Sequence, residues 1–321
     1  MAAHSGLLET LADGRFHSGE ALARAVGVTR SAVWKQIGRL VDLGLDVQRV
    51  PGRGYRLQGG LDLLDGARIR AALGPAARSA LEVIEVHRSI DSTNTQLSER
   101  VAARHAACLA EHQTSGRGRV GRQWVSPFGA NLYCSVAWTF DALPPGVQAL
   151  ALAASAAIAQ AVDADSRLGV QLKWPNDLVA RDRKLGGVLV EMRGEPPGVT
   201  RVVVGVGLNL RMPAAAAAGI DQPWTDLVTL GADFERNTLA AGVLDALVAM
   251  LTRFAQEGFA ASYDGWSARD ALRDRAVAVS GDGSALRGIA RGIDRDGALR
   301  LEADGSMRRV VVGEVSVRRP G

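Results

Sequence analysis

Gly116-Arg-Gly-Arg-Val-Gly-Arg-Gln-Trp124 is the stretch around which this chain of 321 residues is organised. Glycine bends freely and is costly to order, and arginine forks match phosphates and carboxylates. The segment is therefore expected to be a mobile cationic loop that closes over an anion. Its glycines also satisfy a dinucleotide fingerprint, Gly116-x-Gly118-x-x-Gly121, after a strand-like run over 107–113. That fingerprint needs a helix opening at the glycines. Here Gln123-Trp-Val-Ser-Pro-Phe-Gly129 follows, with Pro127 set against a helix, and then a strand-like run over 131–140. A Rossmann site is excluded, and so is a P-loop, because no Gly-Lys-Ser/Thr ends the segment.

On the N-terminal side, a helix over 67–73 and a strand over 81–86 lead into Ser89-Ile-Asp-Ser-Thr-Asn94 and a helix over 95–104. Capping is the ordinary role of small polar side chains at such a turn, but Ser92, Thr93 and Asn94 exceed what one cap needs. On the C-terminal side, a long helix over 146–164 precedes Val170-Gln-Leu-Lys-Trp-Pro-Asn-Asp-Leu-Val179, a strand entering a Pro-Asn turn. Arg181-Asp-Arg-Lys184 then turns into a strand over 185–191, where Gly186 and Gly187 permit close approach of a ligand. Another apolar strand over 202–209 carries Gly205 and Gly207, and a second long helix over 238–254 is expected to be capped by Asn237. Antiparallel strands with two long helices indicate an α+β domain over 66–272. Taken singly, Lys184 reads as a surface lysine and the glycines as relief of crowding; the conjunction is what points to a site.

The first sixty residues read as three short helices over 5–12, 19–26 and 30–43, with Ser18 and Thr29 as caps and Gly14, Gly27 and Gly44 as stops. Val33, Ile37 and Leu40 fall on one face of the third helix, and Ser31, Lys35 and Arg39 on another. Two short strands then flank Pro51-Gly-Arg-Gly54 as a wing bearing Arg49, Arg53 and Arg56. A winged helix-turn-helix over 1–60 places its third helix in the major groove and its wing on phosphates. Gly19, Thr29, Arg30, Ser31, Lys35, Arg39 and Arg53 are the candidate DNA contacts. The bland alternative is a small protein-interaction domain with a solvated basic face. Residues 58–65 read as a linker.

From Arg275 onward, short β segments over 276–280, 285–293, 299–303 and 307–312 alternate with Gly-Asp or Asp-Gly turns. This marks a small SH3-like barrel over 273–321, which should dock on the central domain because so small a unit is marginal alone.

Bulk properties fit a multidomain protein of the reducing cytoplasm. Hydrophobic residues make up 47%, net charge is +4, and Cys108 and Cys134 are the two cysteines. The five histidines are scattered and predict no metal cluster. Neither a signal peptide nor an apolar run near bilayer-spanning length is evident, so no membrane partner is expected.

Together the motifs resemble the signature of biotin protein ligases. The matching stretches are Gly116–Trp124, Lys173-Trp-Pro-Asn-Asp177, Lys184-Leu-Gly-Gly187 and Gly205-Val-Gly-Leu-Asn209. Order and spacing match, and the resemblance covers nearly the whole chain. With Val28-Thr-Arg-Ser-Ala-Val-Trp-Lys35 and Val50-Pro-Gly-Arg-Gly-Tyr55, the chain is similar to the bifunctional type, ligase and biotin operon repressor in one.

The resemblance implies a class II synthetase-like mixed sheet and two reaction steps. Biotin and ATP-Mg²⁺ give biotinyl-5′-adenylate and pyrophosphate; a lysine of the biotin carboxyl carrier protein then takes the biotin, releasing AMP. By resemblance Lys184, Arg119, Asp177 and Lys173 are catalytic. Ser92, Thr93, Asn94, Gln113, Arg117, Gly118, Arg119, Lys184 and Gly187 hold biotin. Arg117, Arg119, Arg122, Trp124, Asn176, Asn209 and Trp224 hold ATP or the adenylate. Asp177 either carries Mg²⁺ or orients the incoming lysine. Val120 stands where many relatives carry arginine. Operator DNA and a homodimer promoted by the adenylate are the further partners. The alternatives are a ligand-sensing winged-helix regulator without ligase activity and a lipoate-ligase-like enzyme.

Overall fold

The computed structural model describes residues 5–193, 199–281, 284–311 and 316–318. The N-terminal unit comprises α1 (Ser5–Leu11), α2 (Gly19–Val26), α3 (Arg30–Asp42) and a hairpin of β1 (Val47–Val50) and β2 (Gly54–Leu57). Its helices start where hydroxyls satisfy orphan amides: Ser18 Oγ accepts from Ala21 N at 3.0 Å and Thr29 Oγ1 from Ala32 N at 3.2 Å. Leu7, Leu11, Leu22, Val33, Ile37 and Leu57 fill its core. The wing docks through paired backbone bonds between His17 and Tyr55, both 2.9 Å. Gly54 makes this docking possible, since at φ +100° an added Cβ would overlap the His17 carbonyl.

Residues 58–65 are not a loose tether. Leu61 N donates to Ala12 O at 2.9 Å, and the next residues are bolted to the central domain. Glu111, fully buried, accepts from Leu64 N at 2.5 Å and pairs with Arg236 at 2.9 Å. A buried carboxylate needs such partners.

The central domain runs α4 (Gly66–Ala72), α5 (Pro75–Ala80), β3 (Val83–His87), α6 (Thr93–Glu99), β4 (Ala106–Ala110), β5 (Leu132–Phe140), α7 (Leu150–Val162), β6 (Gln171–Lys173), β7 (Asp177–Ala180), β8 (Arg183–Arg193), β9 (Thr200–Leu208), α8 (Ala214–Ala217), α9 (Arg236–Glu257) and α10 (Ala260–Ala268). The strands form one sheet in the order β3-β4-β5-β9-β8-β7-β6; β3 and β4 are parallel and every other pair is antiparallel. Side chains alternate across it. Val136, Val204 and Val206 join α7 and α9 in the main core, while Ala106, Cys108, Ala137 and Val203 pack with Leu97 of α6 on the opposite face.

Several expectations are corrected here. The helix expected over 95–104 is α6, which starts two residues earlier and ends at Glu99, so Thr93 and Asn94 lie in its first turn. Asn237 is not the cap of α9. Glu235 accepts from Thr238 N at 2.8 Å, while the Asn237 amide bonds Leu63 O and Asp65 N. α9 is also long and apolar enough to cross a bilayer by length and composition, contrary to the expectation. It is a core helix, with Leu244, Leu247, Leu251 and Phe254 buried.

The C-terminal unit holds β10 (Ala276–Gly281), β11 (Ser284–Ile293), β12 (Leu299–Ala303), β13 (Ser306–Val310) and β14 (Ser316–Arg318). They form an antiparallel sheet in the order β13-β12-β11-β10-β14. Val312, expected to end the fourth strand, and the Asp282-Gly283 turn lie outside the described residues. Its core is continuous with that of the central domain through Val277, Ile293 and Leu299. Trp174 Nε1 donates to Gly297 O at 3.0 Å across the junction.

Candidate active site

The α6 face of the sheet forms the floor of a cavity of about 840 Å³, a size suited to a small-molecule site. The glycines of β9 make room there. A Cβ on Gly205 would overlap the Asn94 amide, and one on Gly207 would overlap the Trp124 indole. These two residues, which read as generic relief of crowding, thus seat two named side chains.

Ser92, Thr93, Asn94 and Gln113 line one end. Ser92 sits at the N-cap of α6 but makes no capping bond with its side chain, leaving its hydroxyl available to a ligand. Gln113 Oε1 accepts from Thr93 N at 2.9 Å, and Gln113 Nε2 donates to Ser126 Oγ at 3.1 Å. Ser135, not anticipated from sequence, lies beneath: its Oγ is 2.7 Å from Thr93 Oγ1 and 2.6 Å from Asn94 Oδ1. Ser135 was hidden because it is one small hydroxyl in a mostly apolar strand. This end offers fixed donors and acceptors of the kind a neutral polar ring requires.

The cationic loop closes the cavity. As expected, no dinucleotide-type helix opens there; Arg119–Gly121 makes a single 3-10 turn. Val120 takes a left-handed conformation (φ 54°) and is 87% exposed, a strained state for a β-branched residue. The three arginines differ. Arg117 pairs with Glu191 at 3.0 Å. Arg119 is half-buried, reaches Asn176 Oδ1 at 3.5 Å and has its pKa lowered, chiefly by desolvation. The Arg122 side chain makes no ion pair among the described residues and lines the cavity. Trp124 lies below, 5.5 Å from ring centroid to Lys184 Nζ.

Lys173, Asn176, Asp177, Lys184 and Gly187, from β6 to β8 and their turns, also line the cavity, as does Gly118 of the loop. Lys184 Nζ is 2.8 Å from Asp177 Oδ1, and both side chains are about four-fifths buried. Cations of the loop and wall thus face one another across a sheltered space, an arrangement that stabilises clustered anionic oxygens. Asp177 keeps a second carboxylate oxygen. Mg²⁺ is commonly held by one or two carboxylates together with phosphates and water, so the residues fit the ion through that oxygen.

Asn209 and Trp224 do not line this cavity themselves but adjoin Lys184, which does: Trp224 bridges to it through the backbone and Asn209 Nδ2 lies 3.5 Å from its carbonyl oxygen. Asn209 Nδ2 donates to Thr225 O at 3.0 Å, while its Oδ1 is buried without a hydrogen-bond partner among the described residues. Trp224 lines a neighbouring hollow of about 290 Å³ with Arg183 and Thr229.

On the winged helix, Arg30, Ser31, Lys35 and Arg39 share the exposed face of α3, and Arg53 on the wing stacks over Phe16 at 4.1 Å. Thr29 caps α3, and Gly19 lies against the Tyr55 ring. Trp34, absent from the sequence-based candidates, is 61% exposed on the same helix, beside the core-facing Val33 and Ile37.

One histidine lies in a cluster of ligand-type side chains. Glu85, His87 and Cys108 bring ligand-type atoms within 4.8 Å of one another beneath α6. Glu85 is already satisfied by His87 at 3.0 Å and Gln96 at 2.8 Å, and burial pushes the Cys108 thiol far up.

The chain matches the HTH domain family over residues 5–56, the Biotin/lipoate A/B protein ligase family over 86–209 and the Biotin protein ligase C terminal domain over 274–318. It is 41% identical over 314 residues to the bifunctional ligase/repressor BirA of Salmonella typhimurium, covering 97% of this chain and 96% of that one. It is 36% identical over 252 residues to the biotin–[acetyl-CoA-carboxylase] ligase of Mycobacterium tuberculosis, covering 74% and 90% respectively. Among solved structures, the biotin protein ligase from Aquifex aeolicus in complex with biotin and ATP is 25% identical, with TM-score 0.64 over 75% of this chain and 100% of that one. A winged helix fused to a synthetase-like mixed sheet with a cationic lid defines a DNA-binding enzyme of acyl activation. The chain belongs to the bifunctional biotin ligase/repressor family.

Proposed function

We propose that this protein joins biotin to ATP, forming biotinyl-5′-adenylate and pyrophosphate, and then transfers biotin to a lysine of the biotin carboxyl carrier protein. The observation that carries this reading is the opposition of Arg119 and Arg122 to the Lys184–Asp177 pair over a cavity that ends in Ser92, Thr93, Asn94 and Gln113. In the first step a biotin carboxylate oxygen attacks the α-phosphorus, and the bond to pyrophosphate breaks. Two anions must approach, and Lys184 with Arg119, Arg122 and Lys173 offsets their repulsion. Ser92, Thr93, Asn94 and Gln113 hold the ureido ring, and Trp124 with Gly205 and Gly207 covers the apolar part. Asp177 would hold Mg²⁺, which would supply neutralisation of phosphate charge, or would orient the incoming lysine. In the second step the carrier amine attacks the acyl carbon and AMP leaves. An exposed acyl adenylate hydrolyses, so the loop 116–124 serves as a lid, disordered without ligand and ordered over biotinyl-adenylate.

The adenylate-bound protein forms a homodimer that binds operator DNA through α3 and the wing, because a helix-turn-helix reads paired half-sites. A carrier-protein substrate and operator DNA both fit action in the cytoplasm. Mass spectrometry of a carrier domain incubated with the protein, biotin and ATP-Mg²⁺ tests the ligase reading. Failure to modify a carrier lysine, with no biotin-dependent exchange of pyrophosphate into ATP, would overturn it.

A further inference from the structure

We infer that Glu191 is a positioning residue that ties the biotin-holding turn to the lid through a single carboxylate oxygen. The inference rests on the ligase reading and extends it to a residue without an assigned role. Glu191 stands on β8 opposite Val203 of β9, two residues beyond Leu189, which pairs with Gly205. Period-two alternation therefore puts its side chain on the face that carries Gly187, Gly205 and Gly207. Its Oε2 accepts from Asn94 Nδ2 at 2.7 Å and from Arg117 Nη2 at 3.0 Å. Arg117 also donates to Thr95 Oγ1 at 3.1 Å. One atom thus joins α6, β8 and the cationic loop.

The carboxylate sets two things. The Asn94 side chain is 3% exposed, and Ser135 Oγ lies 2.6 Å from its Oδ1. An ionised carboxylate can only accept, so it forces the amide nitrogen toward Glu191 and the oxygen toward Ser135. Without it the amide nitrogen keeps only a long bond to Leu189 O, 3.5 Å, and the amide turns over more readily, exchanging donor and acceptor where the ligand is held. Glu191 also neutralises Arg117 and holds it as the lid's anchor. Charge sorting follows: Arg119 and Arg122 remain to meet phosphate, while Arg117 latches the loop. This assigns Arg117 an anchoring role in place of the direct phosphate contact expected from the resemblance.

Steady-state biotinylation, biotin titration and adenylate release measured on full-length Glu191→Ala and Glu191→Gln test the assignment. For Glu191→Ala, we expect KM for biotin to rise about tenfold or more, as when a charge-assisted bond to a buried group is lost. Adenylate release should be faster, and KM for ATP should stay within about threefold, because Arg119, Arg122 and Lys184 are untouched. Glu191→Gln keeps an acceptor for Asn94 but loses the charge that holds Arg117. It should restore biotin KM while adenylate still escapes quickly. If Glu191→Ala fails to fold, the near-isosteric Glu191→Gln carries the test through its split between biotin KM and release. Combined with Arg117→Ala, Glu191→Gln should add little further loss of adenylate. Unchanged biotin KM and release in Glu191→Ala would overturn the assignment, as would equal rises in biotin and ATP KM that Glu191→Gln does not relieve. Wild-type protein inactive in the same assay would instead overturn the ligase reading.

Discussion

Lys184 Nζ lies 2.8 Å from Asp177 Oδ1 because the pairing of β7 with β8 shifts register between Leu178 and Val179. Asp177 pairs with Gly187 and Val179 with Lys184, so the irregularity turns the lysine back alongside the carboxylate. Gly187 lies beside the pair; a Cβ there would make ordinary contacts with Asp177 Oδ1 at 3.4 Å and Lys184 Cε at 3.5 Å. This charge is held where the carboxylate and α-phosphate are proposed to meet. Lys184→Gln should therefore lower adenylate formation by about a hundredfold or more, the loss typical of one preorganised stabiliser, with a smaller loss of biotin affinity. Biotin-dependent pyrophosphate exchange and calorimetric biotin titration check this; exchange at near wild-type rate would remove Lys184 from the step.

Gly205 tests the floor of the cavity. Any Cβ there overlaps the Asn94 amide, and Asn94 has little freedom, being fixed by Glu191 and Ser135. Gly205→Ala should weaken biotin binding by about tenfold or more, since a small misplacement of a polar anchor is costly. The winged helix is distant from this contact, so the effect should appear in calorimetry without a change in DNA affinity for a given fraction of adenylate-bound protein. Biotin affinity equal to wild type would show that the turn adjusts without consequence.

Lys35 and Arg39 lie on the exposed face of α3, on the opposite side from Val33, Ile37 and Leu40 in the core. Replacing both with alanine should weaken operator binding and reduce the slope of log affinity against log salt by about two, if each meets one phosphate. Carrier biotinylation should be retained, because neither residue lines the cavity. Filter binding across a salt series, alongside carrier mass spectrometry, separates the two activities. An equal fall in both would refute the division of labour between winged helix and sheet.

The α+β class, the wing and the convergence of loop, turn and wall were legible because each left a local mark: a cap, a glycine, a charge beside an apolar run. What escaped notice was long-range. Ser135 and Glu191 sit in strands that read as apolar, and their meeting with Asn94 depends on register across three strands. The Asn237 cap was misread because Asn is a favoured cap anywhere, while here its amide is occupied by Leu63 and Asp65, more than 170 positions away in sequence. Trp224 was placed near the adenylate by resemblance alone; it lines a hollow that shares Gln222 and Pro223 with the main cavity.

Phe128 joins the ligand loop to the DNA-binding unit. It follows Trp124 by four positions, yet it is 5% exposed within the winged-helix core, where Leu61 and Leu63 also pack. Ser126, midway, donates to Trp124 O at 3.0 Å and accepts from Gln113 at 3.1 Å, which stiffens the path. At Gly129 the chain turns with φ +67°, and a Cβ there would come 2.9 Å from Leu61 Cδ2. Removing the ring should leave a cavity in the smaller core, a loss of about 3–5 kcal/mol for a buried phenylalanine. A unit of this size has little stability to spare, so Phe128→Ala should speed amide exchange across α1, α2 and α3 and weaken operator binding. The main core under the sheet does not contain Phe128, so α7 and α9 should keep their protection. Hydrogen exchange read by mass spectrometry resolves the two regions. Unchanged protection in α1 to α3 would mean that the ring contributes nothing to holding the winged helix on the enzyme, and that any message from the lid travels by another route.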